Sequence, residues 1–271
     1  MLNVIVAFDG QHFSEGAMKM ATWLHRRVPM QLTGVFLSPV DYRELLGYSG
    51  MGMGTPVFTI PVGEDEQMLE VTAGKFRDFC TQHQLSCRIH KDTDLFALEE
   101  LIRETRFADL LIISSELFYE NIDNQQPNEY LRRTLHESEC PVLLVPEHFL
   151  EPGSVLLGYD GKASSVFALK QFSYLLGEKL PLNALLFHAE GERMPEKERI
   201  MELASAHFNP LSIEQLNNED ANQLKNWLTQ NQHAILVAGA FGRGELSTLF
   251  RKSYVTEIIR AHKIPIFIAH R

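Results

Sequence analysis

The chain contains 271 residues, of which 45% are hydrophobic and 22% charged, a mixture typical of a globular protein with a substantial core. The 25 Lys and Arg against 35 Asp and Glu give a net charge of −10, which excludes a general nucleic-acid binder, because phosphate neutralisation needs basic stripes. The opening apolar run at residues 4–8 is too short for a secretory signal, and no run approaches the roughly 18 apolar residues of a membrane helix. We therefore expect a cytoplasmic protein without a nucleic-acid or membrane partner.

The sequence contains an internal repeat. Residues 4–10 (VIVAFDG) recur at 155–161 (VLLGYDG), an offset of 155 − 4 = 151 residues, and helical positions downstream match as well. Two later apolar runs repeat in the same order, residues 110–113 with 235–238 and residues 140–145 with 264–269. Four matched elements in one order indicate duplication of a whole domain.

The two copies meet where Pro146, Pro152 and Gly153 interrupt the chain. A length of 271 residues is also roughly 1.8 times a domain of about 150 residues. We expect one domain at residues 1–147 and a second at residues 153–271.

Each copy alternates uninterrupted apolar strands with segments of helical spacing. The first copy is predicted to contain strands at 4–8, 32–37, 86–90, 109–113 and 142–145, separated by helices at 14–26, 64–83, 96–105 and 130–137. The second is predicted to contain strands at 155–159, 183–187, 211–216, 234–238 and 266–269, separated by helices at 165–176, 196–207, 220–231 and 254–262. This βαβαβαβαβ order predicts an α/β fold in each copy, with parallel strands and right-handed crossovers.

A Gly- and Met-rich segment between residues 39 and 64 is present in the first copy and almost missing from the second. It includes GMGMG at residues 50–54. A segment of this length is either a disordered insertion or an adaptable apolar surface made by its methionines. The sequence leaves both interpretations open.

Two strand ends in the second copy carry residues suited to an anionic ligand. Asp160 and Gly161 follow its first strand, and Asp9 and Gly10 are their counterparts in the first copy. The fourth strand is followed by AGAFGRG at residues 238–244, in which three glycines leave backbone N–H groups accessible to an anion. Lys252, Ser253 and Tyr254 then open the last predicted helix, whose N-terminus favours phosphate.

A strand that ends in Asp, followed later by Gly-x2-Gly-x9-Gly-[Ser/Thr] before the last helix, resembles the pattern of the universal stress protein family. The resemblance covers nearly the whole chain as a tandem of two domains, similar to the stress-protein E type. It implies two doubly wound open sheets of five parallel strands in the order 3-2-1-4-5, with ATP, alone or with Mg²⁺, as the ligand. Asp160 matches the Asp that reads the adenine end, and Gly239 and Gly242 match the first two glycines. Lys252 stands at the third glycine position, which puts close phosphate approach in doubt.

The resemblance therefore implies a nucleotide site in the C-terminal domain. Its candidate residues are Asp160, Gly161, Gly239, Gly242, Arg243, Gly244, Lys252, Ser253 and Tyr254, with Asp9 as a weaker candidate in the first copy. The first copy replaces all three motif glycines, with Ser114, Leu117 and Asn128 at their positions, and Glu129 follows. We expect no ATP binding there, because a carboxylate beside phosphate is repulsive.

Two rival constellations are weak. Cys80, His83, Cys87 and His90 have metal-like spacing, but Cys87 and His90 lie three apart on a predicted strand and so face opposite sides. With Cys140, the cysteines are odd in number and scattered, which also argues against a disulfide framework. We expect no metal site and no disulfide framework.

A hydrolase site is also unsupported. Ser114 and Ser115 end a strand, but no Gly-x-Ser-x-Gly turn surrounds them and the sequence identifies no base. With no catalytic residues to name, two functions remain. The first is a stress-response regulatory protein that binds ATP or a related adenine nucleotide in its C-terminal domain, with no or slow hydrolysis. The second is an interaction or scaffold protein that binds no nucleotide.

The last strand of each copy is an apolar sheet edge in the implied order, and such edges are normally covered or paired. The resemblance implies that the two fifth strands meet across a dyad. We therefore expect an intramolecular pseudo-dimer, and a further homodimer is compatible with the prevalence of two-fold assemblies.

Overall fold

A computed structural model describes residues 1–38, 64–91, 97–120, 127–180, 182–188, 194–215, 227, 229–239, 258–259 and 261–269. The Gly- and Met-rich segment around residues 50–54 lies outside these residues. So do most of the helices predicted at 220–231 and 254–262. Within the described ranges, no helix is both long enough and apolar enough to cross a bilayer.

The N-terminal half alternates strands and helices as predicted. Its elements are β1 (Leu2–Phe8), α1 (Glu15–His25), β2 (Met30–Phe36), α2 (Glu64–Gln82), β3 (Cys87–Lys91), α3 (Ala97–Thr105), β4 (Leu110–Ser114), α4 (Glu129–Glu137) and β5 (Val142–Val145). Local signals explain the boundaries: Ser14 caps α1 by accepting a 2.9 Å hydrogen bond from the backbone N–H of Ala17.

The C-terminal half follows the same plan in the residues that the structure describes. Its elements are β6 (Ser154–Gly158), α5 (Ala163–Leu175), a short 3₁₀ turn (Gly177–Lys179), β7 (Asn183–His188), α6 (Lys197–Ser205), β8 (Leu211–Gln215), β9 (Ala234–Gly239) and β10 (Ile266–Ala269). Helix α5 begins two residues before the predicted start at residue 165. Its N-cap, Lys162, makes no side-chain capping hydrogen bond, so the sequence carries no cap signal at this boundary.

All ten described strands form one sheet in the order β3-β2-β1-β4-β5-β10-β9-β6-β7-β8. Within each half this is the predicted order 3-2-1-4-5, and neighbouring strands are parallel. The two halves join where β5 and β10 pair antiparallel, with Leu144 opposite Ile266. The apolar edges expected from the sequence are therefore paired with each other.

Helices cover both faces of the sheet. Helices α1, α2, α5 and α6 pack on one face, where a single buried cluster extends across both halves. Helices α3 and α4, with the described side chains of Trp227, Ile258 and Ile259, pack on the other face. Covering both faces explains why the strands read as continuous apolar runs.

The structure contains one disulfide, which the argument from cysteine number and spacing did not predict. Cys80, near the end of α2, is bonded to Cys87, the first residue of β3, and Cys140 is buried as a free thiol. The intervening turn brings them together, since Gln84 adopts a left-handed φ of 55° and Leu85 N–H donates to the Cys80 carbonyl at 2.8 Å. A spacing of seven residues does not reveal this turn. Disulfides are rare in reducing compartments such as the cytoplasm. The expected cytoplasmic location therefore stays a prediction.

Candidate functional site

The candidate site lies at the carboxyl end of the C-terminal half of the sheet. Strands β6 and β9 are parallel neighbours, with Leu157 opposite Val237. Asp160 comes two residues after β6, and Gly239 is the last residue of β9. The fold therefore brings these two predicted residues to one sheet edge, at the point where strand order reverses and α/β proteins bind ligands.

Asp160 is half-buried at this edge. Within the described residues it accepts one hydrogen bond, from the backbone N–H of Lys162 to Oδ1 at 3.0 Å. Gly161 has a φ of +81°, and a Cβ atom there would lie 2.8 Å from Cγ of Pro195. Gly161 is thus required by the turn that presents Asp160.

Gly239 is a glycine because the backbone of α5 passes close to it. A Cβ atom at Gly239 would lie 2.4 Å from the carbonyl carbon of Ser164 and 2.5 Å from the nitrogen of Ser165. This contact places the first turn of α5 against the end of β9. Because α5 has no side-chain N-cap, its first N–H groups have the partial positive charge that attracts anions.

His188, at the end of β7, is a site residue that the sequence did not single out. Its ring is 1% exposed, and its Nδ1 lies 2.8 Å from the carbonyl oxygen of Tyr159. Since a carbonyl only accepts, Nδ1 carries the proton, and Nε2 of the neutral ring is an acceptor. That Nε2 is buried and finds no hydrogen-bond partner within the described part of the chain. A buried polar atom without a partner is costly and is therefore a functional hint.

Negative charge is also present at this edge. Burial raises the pKa of the Tyr159 phenol above its ordinary value, and the nearby carboxylates of Glu196 and Asp160 raise it further.

The remaining candidate residues lie outside the described residues: Gly242, Arg243, Gly244, Lys252, Ser253 and Tyr254.

The equivalent aspartate of the N-terminal half is satisfied internally. Asp9 is 3% exposed, and its carboxylate accepts hydrogen bonds from Gln11 N (3.1 Å) and His12 N (2.8 Å). It also accepts one from Tyr119 N (2.9 Å), and it lies 2.8 Å from Nδ1 of His12. These partners surround the carboxylate that a ligand would have to reach.

Residues of the loop after β4 also make contacts at this N-terminal crevice. Tyr119 donates from its hydroxyl to the Ser38 carbonyl at 3.0 Å, and its ring stacks on Tyr130 with 4.1 Å between centroids. Asn128, at a motif glycine position, caps α4 by accepting from Leu131 N at 2.7 Å. Its side-chain amide also donates to the Phe118 and Tyr119 carbonyls at 2.9 and 2.8 Å. The replaced motif residues therefore have structural roles.

A carboxylate from the chain itself occupies the N-terminus of α1. Glu147, just after β5, accepts hydrogen bonds from the Ser14 hydroxyl, from Gly16 N at 3.2 Å and from the Ser114 hydroxyl at 2.7 Å. In the aligned final strands (140–145 and 264–269), its counterpart in sequence is Arg271, which lies outside the described residues. Position 147 was not singled out in the sequence, because its partners lie far away along the chain.

Solved structures share this architecture. No protein-family model and no curated protein matches the chain. A universal stress protein from Archaeoglobus fulgidus DSM 4304 matches with a TM-score of 0.68 at 15% identity, over 100% of this chain and 96% of that one. A putative universal stress protein from Pseudomonas aeruginosa UCBPP-PA14 matches with a TM-score of 0.56 at 13% identity, over 100% and 93%. A protein of unknown function from P. aeruginosa PAO1 matches with a TM-score of 0.56 at 12% identity, over 100% and 92%. The chain has the universal stress protein fold.

The two halves of this universal stress protein fold differ at equivalent positions. In the N-terminal half the aspartate and the helix N-terminus are both satisfied by the chain itself. In the C-terminal half the described contacts leave Asp160 with one hydrogen bond and α5 without a side-chain cap. Within the described residues, the two halves therefore differ in how far the chain itself satisfies these groups.

We predict that Glu147→Ala destabilises the fold by about 2–4 kcal/mol, because it leaves two buried hydroxyls and a helix N–H without their acceptor. Glu151→Ala is the matched control, since Glu151 has 49% of its side chain exposed and lies 3.8 Å from Arg26. That change should cost less than about 0.5 kcal/mol. Urea denaturation followed by circular dichroism measures both values. Equal effects would show that Glu147 has no special role.

One part of the hydrolase argument changes with the structure. His262 Nδ1 lies 2.8 Å from the Ser115 hydroxyl, so a base is present that the sequence could not identify. Ser115 is only 2% exposed, however, which is too buried for a nucleophile that must reach a substrate. In the described residues no group of three or more His, Cys, Asp or Glu side chains is arranged to hold a metal ion.

Proposed function

We propose that this protein is a stress-response regulatory protein that binds ATP or a related adenine nucleotide at the carboxyl ends of β6 and β9. The observation that carries the proposal is the contrast between two equivalent aspartates. Asp9 is enclosed by four groups of its own chain, whereas the described contacts of Asp160 amount to one hydrogen bond. A half-buried carboxylate at a sheet switch point suits ribose or adenine donors.

The residues at this edge fit the parts of an adenine nucleotide. Asp160, half-buried beside β6, would accept hydrogen bonds from the nucleoside. The uncapped N-terminus of α5, held against Gly239, would favour the phosphate end. Arg243 and Lys252 add positive charge in the sequence that follows β9. Bound ATP would supply a phosphate-dependent signal, and these residues would bind and orient it.

The proposal includes no or slow hydrolysis, because the sequence offers no catalytic residues to name. A purely structural role is the second candidate, favoured by the N-terminal crevice, which the side chains of the chain itself fill. In that case the protein would act through its surfaces as an interaction or scaffold protein. Any homodimer would use a surface other than β5 and β10, because these strands already pair with each other.

Isothermal titration with ATP and MgCl₂ tests the proposal in the full chain. We expect saturable binding to the wild type and a Kd at least about tenfold weaker in Asp160→Asn, because a hydrogen bond to a charged group is worth about 1.5–3 kcal/mol. The matched variant Asp9→Asn should bind ATP with an unchanged Kd. Gly242→Arg, in the glycine loop outside the described residues, should abolish binding.

Two results would overturn the nucleotide proposal. One is the absence of heat at millimolar ATP from a protein whose circular dichroism and thermal unfolding are normal. The other is an equal Kd for the wild type and Asp160→Asn. Either result would leave the scaffold function in its place.

A further inference from the structure

A cleft lies where the two halves of the chain meet, at the amino ends of the strands of the C-terminal half. It has a volume of about 340 Å³ and is formed by the segment after β5 and the segment before β10. Lys19 and His148 line it from the N-terminal half, and Gln232, His262 and Lys263 line it from the C-terminal half. Because β10 runs parallel to β9 and β6, its amino end and Asp160 lie at opposite sheet edges. The cleft is therefore distinct from the proposed nucleotide site.

The charge of this cleft is opposite to that of the whole protein. The chain carries a net charge of −10, yet the cleft is lined by two lysines and two histidines. The carboxylate of Glu147 also lines it and accepts hydrogen bonds from two hydroxyls and the N-terminus of α1, so two lysines against one carboxylate leave a positive charge even with neutral histidines. A local excess of cationic groups on an acidic protein concentrates small anions.

The cationic side chains are positioned by the fold. Nζ of Lys19 donates to the Phe149 carbonyl at 3.1 Å and lies 4.8 Å from the centre of its ring, which fixes the lysine at the cleft. His262 is half-buried, and its Nδ1 lies 2.8 Å from the buried Ser115 hydroxyl of the other half. Its backbone adopts a φ of +44°, a conformation that is costly for a residue other than glycine and is often found at functional sites.

We propose that this cleft binds the oxyanion group of a small metabolite, a phosphate monoester or a carboxylate, between the two halves of the chain. Its volume is at the lower end of the range of about 300–1,000 Å³ for small-molecule sites, so the whole ligand is small. Lys19 and Lys263 neutralise the oxyanion, His262 adds a positive charge when it is protonated, and Gln232 offers amide donors. The ligand contacts both halves and thereby stabilises their junction.

Binding is coupled to protonation of His262. Burial lowers the pKa of this histidine, and the carboxylate of Glu116 acts in the opposite direction. The other charged or titratable groups that face the cleft are Lys19, Glu147, His148 and Lys263. An anion beside the ring favours its protonated form, so binding raises the pKa of His262 and takes up a proton. Affinity should therefore increase as the pH falls toward that pKa.

The test follows the histidine ring signals by NMR while inorganic phosphate, and separately succinate, is added to the full chain at constant ionic strength with NaCl. We expect saturable chemical-shift changes of the His148 and His262 ring signals, which are assigned with variants that each replace one histidine. We also expect the pKa of His262 to rise. A response to phosphate alone identifies a phosphate monoester as the natural class, and a response to succinate alone identifies a carboxylate. Saturation by both assigns the shared oxyanion chemistry.

Matched lysines provide the control. Lys19→Gln and Lys263→Gln should each weaken binding at least fivefold, and Lys19→Arg should restore it. Lys170→Gln should leave the affinity unchanged, because Lys170 matches Lys19 in the sequence repeat but is exposed on α5. Shifts that rise linearly without saturation, or an equal affinity in Lys19→Gln and Lys170→Gln, would overturn the proposal. Asp160→Asn should leave these shifts unchanged, so this test and the nucleotide test fail independently.

Discussion

Leu144→Asp is expected to unfold the protein or to separate its halves. Leu144 is 0% exposed and pairs directly with Ile266, which is 1% exposed, at the antiparallel junction of β5 and β10. An aspartate there has no partner charge, and burying it costs about 5 kcal/mol or more. Because a domain is stable by only about 5–15 kcal/mol, one such change removes most of the folding free energy. Ile266→Asp should have the same effect.

Urea denaturation followed by tryptophan fluorescence distinguishes unfolding from separation. The chain has two tryptophans, Trp23 in the N-terminal half and Trp227 in the C-terminal half, and each is buried. Single Trp→Phe variants make each half report separately. If the halves form one cooperative unit, both transitions coincide in the wild type, and Leu144→Asp shifts both of them.

Two control variants isolate the role of the junction. Leu144→Met conserves volume and should cost less than about 1.5 kcal/mol. Val71→Asp introduces the same charge on α2 at a side chain that is 60% exposed, and it should be nearly neutral. Unchanged denaturation of Leu144→Asp would contradict the pairing of β5 with β10.

Gly239→Ala is expected to have the second largest effect, a loss of about 3 kcal/mol. The new methyl group would lie 2.4 Å from the carbonyl carbon of Ser164 and 2.5 Å from the nitrogen of Ser165. These are backbone atoms of the first turn of α5, so a side chain cannot simply rotate away. The helix must move, and any ligand bound at its N-terminus loses affinity with it.

Gly74→Ala is the matched control for this substitution. Apart from its chain neighbours and the backbone of its own helix, no described heavy atom lies within 4 Å of a Cβ placed at Gly74, in the middle of α2. Alanine there should stabilise the protein by about 0.5–1 kcal/mol because it reduces the entropy of the unfolded chain. Thermal unfolding of both variants checks the pair of values. A neutral Gly239→Ala would contradict the close approach of α5 to β9.

The strands were predictable because their signals are local. The final strand of each half was predicted at the observed bounds, Val142–Val145 and Ile266–Ala269. In both, a proline comes just before a short apolar run. The observed bounds differ from the predicted ones where the local signal was weak. Strand β3, an edge strand with exposed positions, lies one residue later than predicted.

The contacts around the two equivalent aspartates were harder to predict. Asp9 and Asp160 look alike in sequence, but only the structure shows that Tyr119, from a loop 110 residues away, donates to Asp9. Glu147 and Ser14 are 133 residues apart, and Ser115 and His262 are 147 apart. Such contacts have no periodicity or spacing that a single sequence displays. The Cys80–Cys87 bond was missed for another reason, since it depends on the exact path of one turn.

The sequence by itself determined a duplicated α/β architecture, because the repeat and the period of apolar residues act over short segments and specify strand or helix there. Only the tertiary structure decided how the copies differ. It surrounded the aspartate of the first copy with four hydrogen-bonding groups, whereas the described contacts of Asp160 in the second copy amount to one hydrogen bond. The physical reason is that hydrogen-bond satisfaction and side-chain packing depend on groups brought together from distant parts of the chain.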